Sequence, residues 1–214
     1  QRDETLASGF LRYEHGTAGE SVLYAGIGRA ERFPDYWEAI TKESLTTVSA
    51  FDTRPERTTQ IDLGWVRQGG PVRASVSAFY SRIDDFILIQ SNVSKPSGPM
   101  GTRPATVSRN VDAATWGGEV AAGTRLPGRF RVDASLAYTR GQNETESLPL
   151  AQIPPLETRL GLVHEGEGWS AGVLLRGVAR QDRFSLNQGN IVGQDLGATP
   201  GFGLLSLHGA WTPA

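Results

Sequence analysis

The chain has 214 residues, 26 Gly, 12 Pro, no Cys and a formal net charge of −2. The lack of Cys excludes disulfide scaffolds, thiol catalysis and cysteine-bound metal clusters within these residues. The balanced charge offers no broad basic face for nucleic acid. A transmembrane helix needs roughly 20 consecutive apolar residues, and no run in the chain approaches that length, so a helical membrane protein is excluded.

Alternation of apolar and polar side chains dominates the chain, and helical periodicity is scarce. In the clearest segment, Val72, Val76 and Tyr80 share one face of a predicted strand with two alanines, and Arg73 and three serines fall on the other. Such segments have about the 9–11 residues that a tilted strand needs to cross a bilayer. The pattern predicts about nine strands, at residues 5–14, 21–33, 58–67, 72–80, 114–126, 129–139, 156–165, 169–180 and 203–211. The faces of the segment at 21–33 are not assigned by its pattern.

The predicted connections alternate between short turns and long polar loops. Short turns rich in Gly and Pro fall at residues 16–19, 68–71, 127–128 and 165–168. Long loops are predicted at residues 34–56, 91–105, 141–153 and 181–200. Short turns at one end and long loops at the other are typical of an outer-membrane β-barrel.

The aromatic residues agree with this arrangement. Trp65, Phe130 and Trp169 lie beside the short turns, whereas Tyr80 and Tyr138 lie toward the long loops. Aromatic side chains form belts at both membrane interfaces of such barrels. The five residues are therefore predicted to mark the two interfaces.

A soluble β-sandwich is the alternative, since its strands also alternate. Several segments are long for that class, whose strands run about 5–6 residues. Polar faces rich in Arg, Asp, Glu and Ser suit a wet barrel interior better than a dry core. The arginines predicted on these faces include Arg73, Arg131, Arg176 and Arg180. The prediction is an all-β, antiparallel, up-and-down transmembrane barrel.

We expect residues 1–214 to be one fragment of a larger barrel domain. A barrel must close, because an open edge in hydrocarbon leaves backbone groups unpaired, and bacterial single-chain barrels have even strand numbers. Nine strands in 214 residues give about 24 residues per strand and connection. At that spacing the largest plugged transporters, with about 22 strands, would need roughly 500 residues.

Several stretches, in this order along the chain, resemble TonB-dependent outer-membrane receptors. Residues 29–38 read RAERFPDYWE, and residues 54–64 read RPERTTQIDLG, where those receptors carry Phe-Arg-x-Pro and Lys-Pro-Glu segments. Further matches lie at residues 78–87, 110–120, 153–155 and 199–202. Residues 31–38 together with 152–157 are most similar to the copper-receptor branch of the family.

The resemblance implies active capture of a metal or metal chelate outside a Gram-negative cell and its import through the outer membrane. The expected partners are outer-membrane lipid, the ligand and TonB, which would engage an N-terminal part absent from these residues. The plug domain and the last strands of the barrel are also expected to lie outside residues 1–214. No catalytic residue and no cofactor are predicted, and a passive porin or, less favoured, a barrel hydrolase remain alternatives.

Candidate ligand contacts are few. Phe33, Tyr36 and Trp37 could line the rim of the external vestibule, or could only order the loop by packing. Met100 lies in a Gly/Pro loop, where its thioether could contact copper, which prefers soft ligands in its reduced state.

The three histidines do not have the spacing of a metal site. His208 is expected to face the barrel interior, and His15 and His164 border short turns. Asp84 and Asp85 are adjacent on a strand, so their side chains should point to opposite faces, and we expect them to end a strand at the water boundary. The metal ligands are left unknown.

Overall fold

The computed structural model describes residues 4–18, 20–39, 53–96, 101–190 and 193–212, apart from the side chains of Trp37 and Asn190. Nine long strands form one antiparallel meander, in which each long strand pairs with the next one along the chain. Their bounds are β1 Gly9–Thr17, β2 Ser21–Arg32, β3 Glu56–Arg67, β4 Val72–Pro96, β5 Thr102–Leu126, β6 Phe130–Asn143, β8 Glu157–Glu165, β9 Trp169–Val178 and β12 Phe202–Trp211. The predicted up-and-down antiparallel architecture is confirmed, with β1 and β12 as the two edges of an open sheet.

Four short elements lie in the long connections. They are α1 Tyr36–Ala39, β7 Leu148–Pro149, β10 Gln188–Asn190 and β11 Gly193–Gln194. No helix in the described part of the chain has the length and apolar character needed to span a membrane. The end of the sheet that carries these elements is called the long-loop end below, and the opposite end the short-turn end.

The strand register sorts the side chains into an apolar and a polar face. Val120 on β5 lies opposite Val76 on β4 and opposite Leu136 on β6. Across the next strands Leu160 lies opposite Leu175, which in turn lies opposite Leu205. These apolar side chains are exposed in the sheet, and a continuous exposed apolar face of this size requires an apolar environment to cover it.

The register also assigns the faces of β2, which the sequence pattern does not assign. Leu23 lies opposite Trp65 and Ile27 lies opposite Ile61, so the odd-numbered residues of β2 belong to the apolar face. Tyr24 lies on the polar face, where its ring would collide with any side chain at Gly64. Glycines alternate with larger residues along β2 and make its pattern ambiguous.

The short turns fall where the sequence places them. Leu126 lies opposite Phe130 across the turn between β5 and β6, and Gly128 and Arg129 both adopt the left-handed conformation, with φ of 77° and 63°. Glycine adopts this conformation without the steric cost that a Cβ imposes. The turns after β3 and β8 contain Gly70 and Gly168, also at positive φ.

The prediction of a loop at residues 91–105 is wrong for most of that range. β4 and β5 are 25 residues each and pair almost to their ends, with Pro96 opposite Thr102. Register shifts near Asp85 and Asn92, both at φ 59°, interrupt the alternation on which the prediction depended. The described parts of the predicted loops at 141–153 and 181–200 form connections that contain short elements. Of the loop predicted at 34–56, residues 40–52 lie outside the described residues, and α1 lies in the part before them.

The two adjacent aspartates do not end a strand, contrary to the prediction. They lie at a bulge within β4, between the pairs formed by Ile83 and Phe86. A small core lies beside this bulge, where Ile83, Ala113 and Leu150 are buried against Phe86 and other partly buried groups. This core fixes the segment around β7 on the polar side of the long hairpin.

Candidate functional site

Helix α1 lies immediately after β2 at the long-loop end and begins with a reciprocal cap. The Glu38 backbone N–H donates to Asp35 Oδ1 at 2.8 Å, and the Asp35 N–H donates to Glu38 Oε2 at 2.9 Å. This capping box satisfies two amide groups that the first turn leaves without helical partners. The Asp-x-x-Glu spacing is a local signal for this short helix, which the sequence analysis assigned to a long loop.

Arg32 fixes α1 to the sheet. Its guanidinium donates to both Glu38 oxygens, at 2.7 and 3.1 Å, and to Glu56 Oε2 at 3.1 Å. The hydrogen bond to Glu38 raises the pKa of Arg32 further above its ordinary range. The last residue of β2, the helix and the first residue of β3 are therefore held together by one cation.

The predicted rim residues are only partly described. Phe33 and Tyr36 flank the start of α1, and both side chains are exposed. The Trp37 backbone belongs to α1, and Met100 lies outside the described residues. The exposed position of Phe33 and Tyr36 is compatible with ligand contact, and their role stays a prediction.

A second ionic cluster joins the start of β3 to the bulge of β4. Asp85 pairs with Arg54 and, at 3.5 Å, with Arg57. Asn110 Nδ2 donates to the Asp85 carbonyl at 2.7 Å, and Asn110 Oδ1 accepts from the Arg54 N–H at 2.7 Å. On its other side Arg57 lies 3.8 Å from the Glu31 carboxylate, which also accepts a hydrogen bond from Arg29 at 2.7 Å. These contacts hold the bulge in one conformation.

The long β4–β5 hairpin carries an additional strand from a distant loop. Gln188 of β10 lies opposite Gln90 of β4, and the Ser91 N–H donates to the Asn187 carbonyl at 2.7 Å. The Asp195 carboxylate accepts from the Ser185 N–H at 2.9 Å. The connection between β9 and β12 is thus folded against the hairpin.

A third connection joins the same assembly through a half-buried polar cluster. Arg109 donates to Gln90 Oε1 at 2.8 Å and pairs with Glu146 at 2.8 Å. Fully buried Asn143 donates to Glu146 at 2.9 Å. The Arg109 hydrogen bond lowers the pKa of Glu146, so this carboxylate stays charged at neutral pH. These contacts make the long-loop end a preformed surface.

The polar face carries a network of ion pairs along its wall. Arg131 bonds Asp133 at 3.1 Å and Glu165 at 2.8 Å, and Arg176 bonds Glu157 at 2.6 Å. Arg131 and Asp133, together with neighbouring residues, line a groove of about 610 Å³. The predicted polar-face positions of Arg73, Arg131 and Arg176 are confirmed, and Arg180 lies just beyond β9, paired with Asp182.

The histidines take the positions expected from the sequence. His208 lines the groove on the polar face. His164, near the end of β8, stacks on Trp169 at 4.9 Å and contacts the Phe130 ring at 4.8 Å, and His15 lies near the end of β1. In the part of the chain that the structure describes, no three His, Asp or Glu side chains form a group that could hold a metal ion.

Aromatic residues lie at both ends of the apolar face. Phe130 and Trp169 begin their strands at the short-turn end. Toward the long-loop end Tyr80 lies opposite Trp116, and Trp116 meets Tyr138 edge to face at 5.6 Å. Trp65, three positions before the turn that follows β3, completes the predicted set. Their function as membrane-interface residues remains a prediction.

The residues that organise the long-loop end were missed by the sequence analysis. Arg32 contacts partners 6 and 24 positions away in the chain, and Arg109 contacts Glu146 37 positions away. Only the capping box of α1 has a local signal. The other contacts depend on strand register and on loop conformation.

Comparisons with known proteins agree with this geometry. A family model described as "TonB dependent receptor-like, beta-barrel" matches residues 3–214. A solved structure of the copper transporter OprC superposes with a TM-score of 0.88 at 44% identity, over 99% of this chain and 32% of that one. Among functionally curated proteins none matches the chain.

More distant structures share the fold. A mutant of the ferric enterobactin receptor PfeA from Pseudomonas aeruginosa has a TM-score of 0.76 at 15% identity, over 97% of this chain and 32% of that one. The FrpB iron transporter from Neisseria meningitidis has a TM-score of 0.66 at 16% identity, over 95% and 32%. The chain spans about a third of the length of each structure. Its nine-stranded, two-faced sheet and the match over residues 3–214 show that the chain belongs to the TonB-dependent receptor family and forms part of its β-barrel.

Proposed function

We propose that the protein containing this chain is an outer-membrane importer of copper in a Gram-negative bacterium. The observation that carries the proposal is the 44% identity to a copper transporter over 99% of the chain. The iron and siderophore proteins with the same fold are only 15–16% identical. The similarity therefore favours copper over an iron chelate.

The apolar face supports the membrane location. An outer-membrane strand presents every second side chain to lipid, and the described strands place Leu, Val and aromatic residues on one face over the whole sheet. The exposed band continues from β1 to β12. Lipid is the covering environment that this proposal requires.

The long-loop end supports the capture step. Three connections fold together around the β4–β5 hairpin, and Arg32 holds α1 against the ends of β2 and β3. Phe33, Tyr36 and Trp37 would border the entrance, and Met100 would offer copper a thioether. A pre-ordered entrance loses little conformational entropy on binding, which favours high affinity.

The import step would use energy transmitted by TonB, as the family assignment implies. The test is accumulation of radioactive copper in cells that lack the gene, in complemented cells, and in cells that lack TonB. We expect the gene deletion and the TonB deletion each to abolish high-affinity copper uptake. Ferric enterobactin uptake by the gene-deletion strain is the control that the outer membrane is intact. Copper uptake that is unchanged without the gene would contradict the substrate, and gene-dependent uptake that persists without TonB would indicate a passive channel.

The rim residues are tested separately. The double variant Phe33→Ala, Tyr36→Ala should raise the copper concentration needed for half-maximal uptake without lowering the amount of receptor in the membrane. Leu186→Ala is a matched control, because this exposed side chain lies in another connection. Equal uptake curves for both variants would remove Phe33 and Tyr36 from the binding site.

A further inference from the structure

Three arginines converge on the polar face at the short-turn end. Arg73 lies near the start of β4, Arg125 near the end of β5 and Arg131 near the start of β6. Arg125 lies directly opposite Arg131. Like charges directly opposite each other in an antiparallel pair are destabilising, so an anion bound between them would stabilise this arrangement.

The neighbouring carboxylates compensate only part of this charge. Asp133 is shared by Arg131 at 3.1 Å and Arg73 at 3.4 Å, and Glu165 bonds Arg131 at 2.8 Å. Among the described residues, the Arg125 guanidinium has no ion-pair or hydrogen-bond partner. Three cations are thus matched by two anions, and the unmatched cation is Arg125.

The local backbone leaves room for a ligand between the three side chains. Gly123 lies between Arg73 and Asp133 in the register, and a Cβ at this position would collide with the Asp133 carboxylate. Its absence lets Arg73 reach across β5. The three arginines line a cavity of about 340 Å³ together with Gly70, Pro71 and Thr124.

We propose that Arg73, Arg125 and Arg131 form a binding site for an oxyanion on the inner wall of the barrel. Guanidinium groups present planar pairs of N–H donors that match carboxylate and phosphate oxygens. The ligand is either a free anion or a carboxylate side chain from another part of the same receptor. The proposal depends on the barrel fold and not on the transported metal.

The experiment measures the thermal unfolding of the intact receptor in detergent, followed by heat-modifiable mobility on gels. Phosphate replaces chloride at constant ionic strength, in wild type, in Arg125→Gln and in Arg180→Gln. Arg180 is a matched control, because it pairs with Asp182 at the opposite end of the sheet. A folded band at low temperature in each sample shows that the barrel has assembled.

Two results support the site and identify the source of its ligand. If the ligand is free, phosphate raises the unfolding temperature of wild type and of Arg180→Gln in a saturable manner, and Arg125→Gln does not respond. If the ligand is a carboxylate of the receptor, phosphate has no effect and Arg125→Gln alone lowers the unfolding temperature by about 1–4 °C. The proposal is overturned if phosphate raises the unfolding temperature of Arg125→Gln as much as that of wild type. It is also overturned if phosphate has no effect and Arg125→Gln leaves the unfolding temperature unchanged. A higher unfolding temperature of Arg125→Gln without a phosphate effect overturns it as well, because that result means that the repulsion between Arg125 and Arg131 is not compensated in wild type.

Discussion

A charge placed on the apolar face should destabilise the receptor strongly. Val120 lies midway along this face between Val76 and Leu136, and in the sheet alone 47% of its surface is exposed. An arginine at the bilayer midplane of an outer-membrane barrel costs about 2–4 kcal/mol. Val120→Arg should therefore lower the ratio of folded to unfolded receptor by about 30-fold to 700-fold.

The matched control is the preceding residue. Glu119 points to the polar face, where Glu119→Arg replaces one charge by another in a wet environment, and we expect little change. The assay is denaturant unfolding of both variants and wild type in lipid vesicles, followed by tryptophan fluorescence. If the two variants lose similar stability, or if Val120→Arg loses none, the assignment of this face to lipid is refuted.

Two further predictions concern the long-loop end. Arg32→Gln should release α1 and cost about 1–3 kcal/mol of local stability, because it leaves the buried Glu38 without its cation. Arg29→Gln should leave α1 unchanged, because Arg29 pairs with Glu31 of β2 and not with the helix. Faster amide hydrogen exchange at residues 36–39 in the first variant alone is the expected readout, and equal exchange in both would contradict it. The folded-state pKa of Glu146 is lowered by Arg109, so its stabilisation is complete above the ordinary pKa of 4.5 and is lost as the pH falls through the lowered value. Amide exchange at residues 143–148, corrected for the intrinsic rate, should become faster in wild type as the pH falls from 5 to 2. In Glu146→Gln the corrected exchange rate should stay constant over this range. A pH response that is retained in Glu146→Gln would refute the role of this carboxylate.

The sheet could be predicted from the sequence because each long strand carries an alternation of apolar and polar side chains within its own residues. Nine alternating segments were predicted and nine long strands are present among the described residues. Most predicted bounds at the short-turn end fall within one or two residues of the observed ones, since Gly and Pro mark the turns. Side-chain alternation is a local property, so no register was needed to recognise it.

The long-loop end could not be predicted in the same way. β4 and β5 continue beyond the apolar band as a polar hairpin, so the alternation that identifies a half-apolar strand is lost there. In addition, the register shifts near Asp85 and Asn92 each change which side chains of β4 face the same side of the sheet. The pairing of β10 with β4 joins residues about 100 positions apart, and no local pattern encodes such a contact.

The three-arginine site shows what register adds to composition. Arg73 and Arg131 were recognised as polar-face residues from alternation alone. That Arg125 lies opposite Arg131, and that Gly123 lets Arg73 reach Asp133, follow only from the pairing of β4, β5 and β6. Sequence reasoning therefore identified the wall but not the site on it.

The most direct test of the two-faced barrel wall is a scan of spin labels along β6 of the receptor in lipid vesicles. Residues 1–214 contain no Cys, so single cysteines at positions 132 to 137 can be labelled one at a time in a receptor without other cysteines. Collision with oxygen, which concentrates in lipid, should be high at positions 132, 134 and 136, and collision with a water-soluble nickel chelate should be high at 133, 135 and 137. A scan with no period of two, or with oxygen favouring the odd positions, would contradict the barrel wall described above.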